Sequence, residues 1–518
     1  MKKLVLSAAV AFLATTTAMA QDNRDYSAQV GTDNIATTTQ TGDSNENYLL
    51  QWGDDNESTV TQTGDENMSG AIQFGDDNSN NVSQRGEGNA SGLLQNGDSN
   101  RATIIQGDSA TGTGISNFNT SEAVQLGDRN RLTVRQVHAT GGNNSSETLQ
   151  DGNDNFINVR QNGTVGGNEA LITQTGDFNN ADSYQRGGNN EVVIDQTGDR
   201  NEATEYTLGS SNLSEMTQEG NDNKSSVDRD GANNEAYITQ TNNNNTSTLG
   251  QYGNGNEAII SQYGGGNHNA EGLQTGDDNF MRVRQGGSNQ DALITQNGND
   301  NDVYSQQSGS YNELIIDQIG NDNFATEYTN GYSNFVDIYQ EGNDNDSRGF
   351  RMGDENAAYV TQVGNDNDSD VEQHGDFNIA GVAQLGDLNI AEVYQTGDSN
   401  AAIAYQDGNS NQAYLTQNGD ENIGVAAQLG DFNNAYLTQN GNENFGLAAQ
   451  IGDSNMGAMA QFGDSNNILL IQNGDANTSM NLQWGDLNTA TVNQTGADQF
   501  HFGAQVGNGN SISVTQSN

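Results

Sequence analysis

The stretch QNGDENIGVAAQLGDFNNAYLTQNGNENFGLAAQIGDSN, residues 417–455, contains one 22-residue unit written almost twice. Gln returns every eleven residues, at Gln417, Gln428, Gln439 and Gln450, and Asn and Gly return with the same period. The residues between each Gln and the next Asn include an acidic or amide side chain. A repeat this regular predicts stacked, equivalent units rather than a conventional globule.

The same period covers nearly the whole chain. Between residues 23 and 516 we count 44 arcs of this kind, of which 41 begin with Asn and 40 end with Gln six residues after the start. Four arcs end differently, with Thr207, Arg229, Thr329 and Arg351. Three begin differently, with His268, Gln290 and Gln499.

Insertions show which half of the arc is rigid. All of them lie between a Gln and the next Asn or its substitute, and none lies between an Asn and the next Gln. Turns tolerate insertion and paired strands do not, so the Asn-to-Gln half is predicted to be a strand. The insertions lie at Gln106–Asn119, Gln136–Asn144, Gln161–Asn168 and Gln262–His268.

Alternation within the arc supports a strand. In NEAYITQ, residues 234–240, Asn234, Ala236, Ile238 and Gln240 alternate with Glu, Tyr and Thr. A period of two places the first set on an inner face and the second on an outer face. Pro is absent from the chain, so every strand can pair on both edges.

Two arcs return the chain to its starting point. The sequence therefore predicts an all-β fold, a two-sheet parallel β-solenoid of about 22 coils with 22 residues per coil, as a single domain over residues 21–518. Its length would be roughly 105 Å at about 4.8 Å per coil. Identical amides would stack inside as hydrogen-bonded ladders. The predicted ladder residues include Asn411, Gln417, Asn422, Gln428, Asn433, Gln439, Asn444 and Gln450.

Composition excludes several classes of protein. Only 31% of residues are hydrophobic, and 69 acids against 17 bases give a formal charge of −52. This charge repels phosphate and argues against nucleic-acid binding. Cys is absent and the four His are dispersed. The pattern therefore suggests no enzyme, no cofactor and no metal centre.

The first residues, MKKLVLSAAVAFLATTTAMA, have the features of a secretory signal peptide over 1–20. Lys2 and Lys3 precede an apolar run of signal-peptide length, and Ala18 and Ala20 form a cleavage motif. We expect cleavage between Ala20 and Gln21. The run is too short to anchor the protein, and no membrane span is expected in the mature chain.

Two strands per 22 residues, with Asn and Gln at this spacing and Q-x-G-x-x-N between strands, resemble the curlin repeat of the secreted curli fibre subunits. The resemblance implies an extracellular, cell-surface amyloid fibre of the biofilm matrix that supports adhesion and aggregation. It implies homopolymerisation, and export through the periplasm and an outer-membrane curli pore. A nucleator and a periplasmic chaperone are the further partners that it implies.

Other solenoid functions are compatible with the same sequence. A long monomeric surface adhesin or stalk would have the same repeats. Calcium-binding repeats have a nonapeptide period, although the acidic turns here could bind Ca²⁺. An ice-binding solenoid needs a flat Thr face, whereas only Thr37 to Thr39 form a Thr run in their neighbourhood and adjacent arcs point Glu, Tyr and Leu outward.

Stacked acids are predicted at the turns. Asp376, Asp398 and Asp420 share one turn position at 22-residue spacing, and the same holds for Asp431, Asp453 and Asp475. Carboxylates about 4.8 Å apart would repel by roughly 0.9 kcal/mol in water before screening. We interpret these residues as gatekeepers that restrain premature assembly as well as keeping the chain soluble.

Two further patterns bear on assembly and ancestry. The segment 190–207 resembles 312–329, which indicates an internal duplication across an odd number of arcs and hence an exchange of the two sheets. The last arc, residues 510–518, is regular. An uncapped arc predicts end-to-end growth, since unpaired strand edges template further pairing.

Overall fold

The computed structural model describes residues 22–107, 118–138, 143–163 and 166–518. The predicted signal peptide over 1–20, with its cleavage site at Ala20 and Gln21, lies outside these residues. The described chain contains 44 β-strands and no helix. The all-β prediction is therefore confirmed.

Alternate strands belong to alternate sheets. The first sheet contains β1 (Arg24–Val30), β3 (Glu46–Trp52), β5 (Met68–Phe74), β7 (Ala90–Asn96), β9 (Thr120–Leu126), β11 (Ser145–Asp151), β13 (Glu169–Thr175), β15 (Glu191–Thr197), β17 (Leu213–Glu219), β19 (Glu235–Thr241), β21 (Glu257–Gly266), β23 (Phe280–Ser288), β25 (Asp302–Ser310), β27 (Phe324–Tyr332), β29 (Asp346–Met352), β31 (Asp368–His374), β33 (Ile390–Thr396), β35 (Gln412–Asn418), β37 (Asn434–Asn440), β39 (Met456–Phe462), β41 (Thr478–Trp484) and β43 (Phe500–Val506).

The second sheet contains β2 (Ile35–Thr41), β4 (Glu57–Thr63), β6 (Ser79–Arg85), β8 (Arg101–Gln106), β10 (Arg131–His138), β12 (Phe156–Gly163), β14 (Asn180–Gly188), β16 (Glu202–Ser210), β18 (Lys224–Ala232), β20 (Thr246–Tyr252), β22 (Asn269–Thr275), β24 (Asp291–Asn297), β26 (Glu313–Asn321), β28 (Phe335–Asn343), β30 (Ala357–Asn365), β32 (Ile379–Leu385), β34 (Ala401–Asp407), β36 (Ile423–Leu429), β38 (Phe445–Ile451), β40 (Asn467–Asn473), β42 (Thr489–Thr495) and β44 (Ser511–Ser517).

Each strand from β1 to β42 pairs in parallel with the strand two places further along the chain. In β35 and β37, for example, Tyr414 lies opposite Tyr436 and Gln417 lies opposite Gln439. Each pairing in the regular region spans 22 residues, so two arcs form one coil. The two-sheet parallel solenoid of about 22 coils is confirmed.

The core is a thin layer between the sheets. In β19, Ala236, Ile238 and Gln240 are buried, whereas Glu235 and Thr239 are exposed. Ala and Ser predominate at the first inward position of the strands, and Val, Ile and Leu at the second. Small residues allow the two sheets to approach closely. Along most strands, the inward positions are therefore a small residue, an aliphatic residue and an amide within one narrow core.

The strands are displaced by one residue from the predicted Asn-to-Gln half. In β37, for example, Asn433 precedes the strand and Asn440 ends it, one residue after Gln439. Several strands, such as β16 and β18, continue for nine residues into the turn. The ladder amides thus lie at the strand ends, where they fix both the strand and the turn.

The turns use two left-handed residues. Gly430 has φ 113°, and a Cβ there would clash with the carbonyl oxygen of Gly452 in the next coil. Phe432, just before Asn433, has φ 59°, and its N–H donates to the carbonyl of Asn409 at 3.0 Å. A left-handed Phe is strained by roughly 1–3 kcal/mol, and the coil-to-coil hydrogen bond offsets part of this cost.

One of the four insertions found in the sequence lies wholly within the described residues, and three do not. Three of them include residues 108–117, 139–142 and 164–165, which lie outside the described residues. The fourth is accommodated in β21, whose pairing with β23 shifts register between Gly264 and Gly266. The strand-to-strand pairing resumes in the next coil.

The inward register can be tested at adjacent residues. Ile238 is 1% exposed, so Ile238→Asp should destabilise its coil by at least about 3 kcal/mol, since a lone carboxylate would enter the core. Thr239→Asp, on the outer face of the same strand, is the matched control and should change stability by less than about 0.5 kcal/mol. Hydrogen-exchange mass spectrometry of residues 213–262 measures both. Equal loss of protection in the two variants would contradict the register.

Candidate assembly site: amide ladders and stacked turns

The Gln side chains form one type of ladder, which is interrupted where Thr207, Arg229, Thr329 and Arg351 replace Gln. Gln417 Nε2 donates to Gln439 Oε1 at 2.9 Å, and Gln439 Nε2 donates to Gln461 Oε1 at 2.9 Å. The second proton of Gln417 Nε2 reaches the carbonyl of Ala401 in the facing sheet at 3.0 Å. Each Gln therefore joins successive coils and also ties the two sheets together.

The Asn side chains form a second ladder that runs in the opposite direction. The backbone N–H and Nδ2 of Asn433 donate to Asn411 Oδ1 at 3.0 and 3.1 Å, which is the preceding coil. Nδ2 also donates to the carbonyl of Gly452 at 2.8 Å. Within the ladders, Gln donates to the next Gln toward the C-terminal end and Asn donates to the previous Asn toward the N-terminal end, which gives each end of the solenoid its own set of donors and acceptors.

The structure places all eight predicted ladder residues inside these rows. Each is at most 1% exposed, and each has an amide or backbone partner. An amide buried without a partner costs about 1–3 kcal/mol, so the rows convert a polar core into a cohesive one.

The predicted turn acids are hydrogen-bonded, which sequence reasoning missed. The backbone N–H of Asp376 donates to Asp398 Oδ1 at 2.9 Å, and that of Asp398 donates to Asp420 Oδ1 at 2.9 Å. The row on the opposite edge contains the same contact at Asp431, Asp453 and Asp475. Stacked carboxylates therefore also accept one coil-to-coil hydrogen bond each, and this attraction opposes their mutual repulsion.

Ionisation of the acids depends on where they lie. Hydrogen bonds from the side chain and backbone of Thr32 lower the pKa of Asp54 in a turn. On the strands, partial burial raises the pKa of Asp370 and of Glu392, and neighbouring acids add to the rise. Burial together with these carboxylates raises the pKa of Tyr394 to about 12. Negative charge is thus unfavourable on the strand face around β31 and β33.

Two ion pairs among the described residues are fully buried in the core. Glu205 on β16 and Arg229 on β18 lie 3.3 Å apart, with both side chains 0% exposed. Ser183 also donates to Glu205, at 2.9 Å. Burial raises the pKa of Glu205 and lowers that of Arg229, whereas their mutual attraction opposes both shifts. Each residue therefore stabilises the charged form of the other in the core.

The second pair reproduces the first in the other sheet. Glu327 on β27 pairs with Arg351 on β29, and Thr329 donates to Glu327 at 2.9 Å. A Cβ at Gly349 would clash with these charged groups. This confirms the sheet exchange predicted for the internal duplication, since an odd number of arcs separates the copies. Sequence reasoning noted Arg229 and Arg351 but missed the acids, although Glu at a position otherwise mostly aliphatic was a usable signal.

Aromatic side chains stack on the outer faces. Tyr414 and Tyr436 lie with ring centroids 5.0 Å apart and planes 5° from parallel. Tyr26 and Tyr48 stack at 5.0 Å in the first coils. These rows continue the coil-to-coil register on the outside of the molecule.

Within the part of the chain that the structure describes, no three His, Asp or Glu side chains are grouped in a way that could hold a metal ion. Over the same residues, no helix has the length and apolar character needed to cross a bilayer.

Stacked coils joined by amide ladders define a parallel β-solenoid built from structural repeats. The chain contains eight matches to the curlin associated repeat, which defines a structural and non-enzymatic family associated with extracellular curli fibres. A comparison with curated proteins gives no match. The curlin associated repeat is matched at 31–64, 75–107, 167–198, 187–220, 209–241, 231–264, 352–375 and 364–397.

The buried ion pair predicts an asymmetry between single and double variants. Arg229→Gln restores the repeat amide but leaves Glu205 without its base, and should destabilise the local coils by about 3–5 kcal/mol. Glu205→Val combined with Arg229→Gln should be neutral or stabilising. Hydrogen exchange over residues 200–251 tests this pair of variants. A double variant as unstable as the single one would show that the pair is not the source of the loss.

The raised strand pKa values predict stabilisation by mild acid. A group whose pKa is higher in the folded state takes up a proton on folding, so stability increases as pH falls from neutral toward about 4. Below that value the lowered pKa of Asp54 acts in the opposite sense. The thermal unfolding temperature between pH 7 and 4.5 measures the effect. Asp370→Asn should reduce the rise more than the charge-matched control Asp407→Asn does, and identical slopes would contradict the assignment.

Proposed function

We propose that the chain is a secreted structural subunit that polymerises end to end into curli-like amyloid fibres of a biofilm matrix, supporting adhesion and aggregation. The observation that supports this most directly is the pair of amide ladders. Each coil contacts the following coil through the same hydrogen-bond donors and acceptors with which the preceding coil contacts it. A second copy added at either end would meet the pattern that an internal coil meets.

The open edges of the terminal strands support growth of the fibre along the axis of the solenoid. Within the described chain, β1 and β2 pair only with β3 and β4, and β43 and β44 only with β41 and β42. Open strand edges template the pairing of further strands. Contact between opposite ends does not close on itself, so it gives filaments rather than a dimer.

Export is part of the proposal. Residues 1–20 have the features of a signal peptide, and its removal at Ala20 would place Gln21 next to β1. We include as partners an outer-membrane curli-type pore, a nucleator and a periplasmic chaperone, since the family is associated with extracellular fibres. The mature solenoid over 21–518 would then reach the cell surface before it assembles.

The turn acids are proposed to delay this assembly. Asp431, Asp453 and Asp475 stack along one edge, and a joining copy would extend such a row of negative charge. Asn442 accepts a backbone N–H from Asp420 at 2.8 Å in the same way that Asp does. Replacement of Asp by Asn therefore removes charge while keeping the hydrogen bond, which separates the two effects.

The fibre proposal predicts that purified 21–518 forms unbranched filaments with a cross-β spacing of about 4.8 Å along the axis. Electron microscopy over time and fibre diffraction measure this. A charged, Pro-containing segment added after Asn518 should slow elongation, because it blocks the edges of β43 and β44. A chain that stays monomeric, as separate rods of roughly 105 Å, would favour the adhesin or stalk function instead.

The same assay tests the gatekeepers. Asp431→Asn, Asp453→Asn and Asp475→Asn together should shorten the lag at pH 7 and reduce its dependence on salt, since less repulsion remains to be screened. Three Asp→Asn changes at exposed positions on the strands, Asp151, Asp230 and Asp407, match the change in net charge. Equal shortening by both sets would leave solubility as the only role of the turn acids.

A further inference from the structure

The two ends of the solenoid carry unusual inward residues. At the first inward position of the 44 described strands, the ionisable side chains are Asp25 on β1 and His501 on β43. Nearly all the other strands have Ala, Ser, Gly or an aliphatic residue there, and two have Asn. Asp25 and His501 belong to the same sheet and lie at opposite ends of it.

His501 is buried without a partner for one of its ring nitrogens. The side chain is 9% exposed, and Nε2 has no hydrogen-bond partner. The ring lies over Gly503, where a Cβ would clash with Nε2. Burial lowers the pKa of His501, and no charged group opposes this shift. An imidazole held in this way lacks the acceptor that a protonated ring needs.

Asp25 offers such an acceptor at the other end. Its carboxylate receives Asn47 Nδ2 at 2.7 Å, Ser27 Oγ at 3.2 Å and Thr38 Oγ1 at 3.3 Å, all from its own first coils. Its face toward the N-terminal end of the sheet has no strand of the described chain against it. A carboxylate has about four acceptor sites, so it can accept a further donor there.

The register of the solenoid brings these two residues together when one copy follows another. Ser479 pairs with His501 between β41 and β43, and Asp25 pairs with Asn47 between β1 and β3. If β43 of one copy pairs with β1 of the next in the same register, then His501 lies directly opposite Asp25. We propose that copies of this chain join through a buried His501–Asp25 pair, which selects the head-to-tail junction and rests on the fibre function proposed above.

Precedents within the molecule support the pairing. The other inward acids, Glu205 and Glu327, each pair with an Arg one coil away. On the outer face, the same register sets Phe500 opposite Arg24. Arg131 and Phe156 are paired in this way between β10 and β12, with the guanidinium 5.4 Å from the ring centroid.

The amide ladders have matching open ends. Gln505 Nε2 donates to Thr489 O at 3.0 Å and has no later Gln in its row, so its second proton is available to Gln29 Oε1 of the next copy. Gln499 Oε1 is buried without a partner, and it lies where Asn23 of the next copy would donate. Donors therefore meet acceptors in both ladders only when the C-terminal end faces an N-terminal end.

The surroundings of the pair contain few competing charges. The strands β41, β42 and β44 have no acidic or basic side chain, and Asp498 lies in the exposed turn before β43. At the other end, β2 likewise has none. Arg24 and Glu46 lie on the outer face and pair with each other at 3.0 Å. Asp25 is thus the acid placed to meet His501.

A complementation experiment tests the junction. Seeded elongation of mature 21–518 is measured at pH 6, close to the ordinary pKa of His, where a facing carboxylate favours the protonated ring. Asp25→His sets His against His and His501→Asp sets Asp against Asp, so each variant alone should elongate at least about tenfold more slowly. In an equimolar mixture, every junction between the two different variants has a His–Asp pair again. The mixture should therefore elongate within about twofold of wild type. A chain with both substitutions should also recover.

Matched controls place the same residues on the outer face of the terminal coils. Thr37 lies outward on β2 and Ser513 lies outward on β44, opposite each other in the junction register. Thr37→His and Ser513→Asp should elongate like wild type. Circular dichroism checks that each variant keeps its strands.

The outcomes separate the two proposals. If wild type elongates but the single variants elongate equally well, or if the mixture is no faster than its components, the junction is overturned while the fibre function stands. If wild type does not elongate under any seeding condition, the fibre function fails and the junction fails with it.

Discussion

An amide inside a dry core must be hydrogen-bonded, and this constraint governs the rest of the structure. A Gln side chain can hydrogen-bond to the Gln of the next coil only when the two residues lie directly opposite each other on paired strands. Gln417 and Gln439 do so, at 2.9 Å. Any slip by one residue would leave whole rows unpaired and turn the outer face inward. The ladders therefore fix the register far more strictly than an aliphatic core could.

The turns follow from the same constraint. Coils that repeat about every 4.8 Å bring backbone against backbone at every corner, so Gly430 faces the carbonyl of Gly452 without room for a side chain. The turn acids then do two opposed things. They accept a backbone N–H from the preceding coil, and they accumulate like charge along the edge. The balance between these effects makes the stacked state sensitive to charge and to salt without weakening its geometry.

Much of this could be predicted from the sequence because a ladder repeats residue types as well as polarity. The eleven-residue period gave the strands, their parallel pairing and the inward set, including Ile238 and Gln240. The hydrogen bonds of the turn acids were missed, since they depend on a turn geometry that residue types do not define. A signal existed, however: Asn442 and Asn409 share the acceptor Oδ1 with the Asp residues that they replace. The left-handed position before each Asn was not predictable, because Phe432 and Leu487 occupy it as well as Ser454. The buried Glu205 was missed because only the closing Arg229 was considered.

The ladders also explain how a chain with few apolar residues and no disulfides can be cohesive over some 22 coils. The central claim is that its Asn and Gln side chains, rather than its aliphatic layer alone, hold the coils in register. Hydrogen exchange of the side-chain amides, resolved by NMR with ¹⁵N-labelled Gln and Asn, tests this most directly. The account predicts that the NH₂ groups of interior residues such as Gln417 and Asn433 exchange at least about a hundredfold more slowly than that of an exposed amide such as Asn418. Interior side-chain amides that exchange as fast as the exposed ones would contradict it.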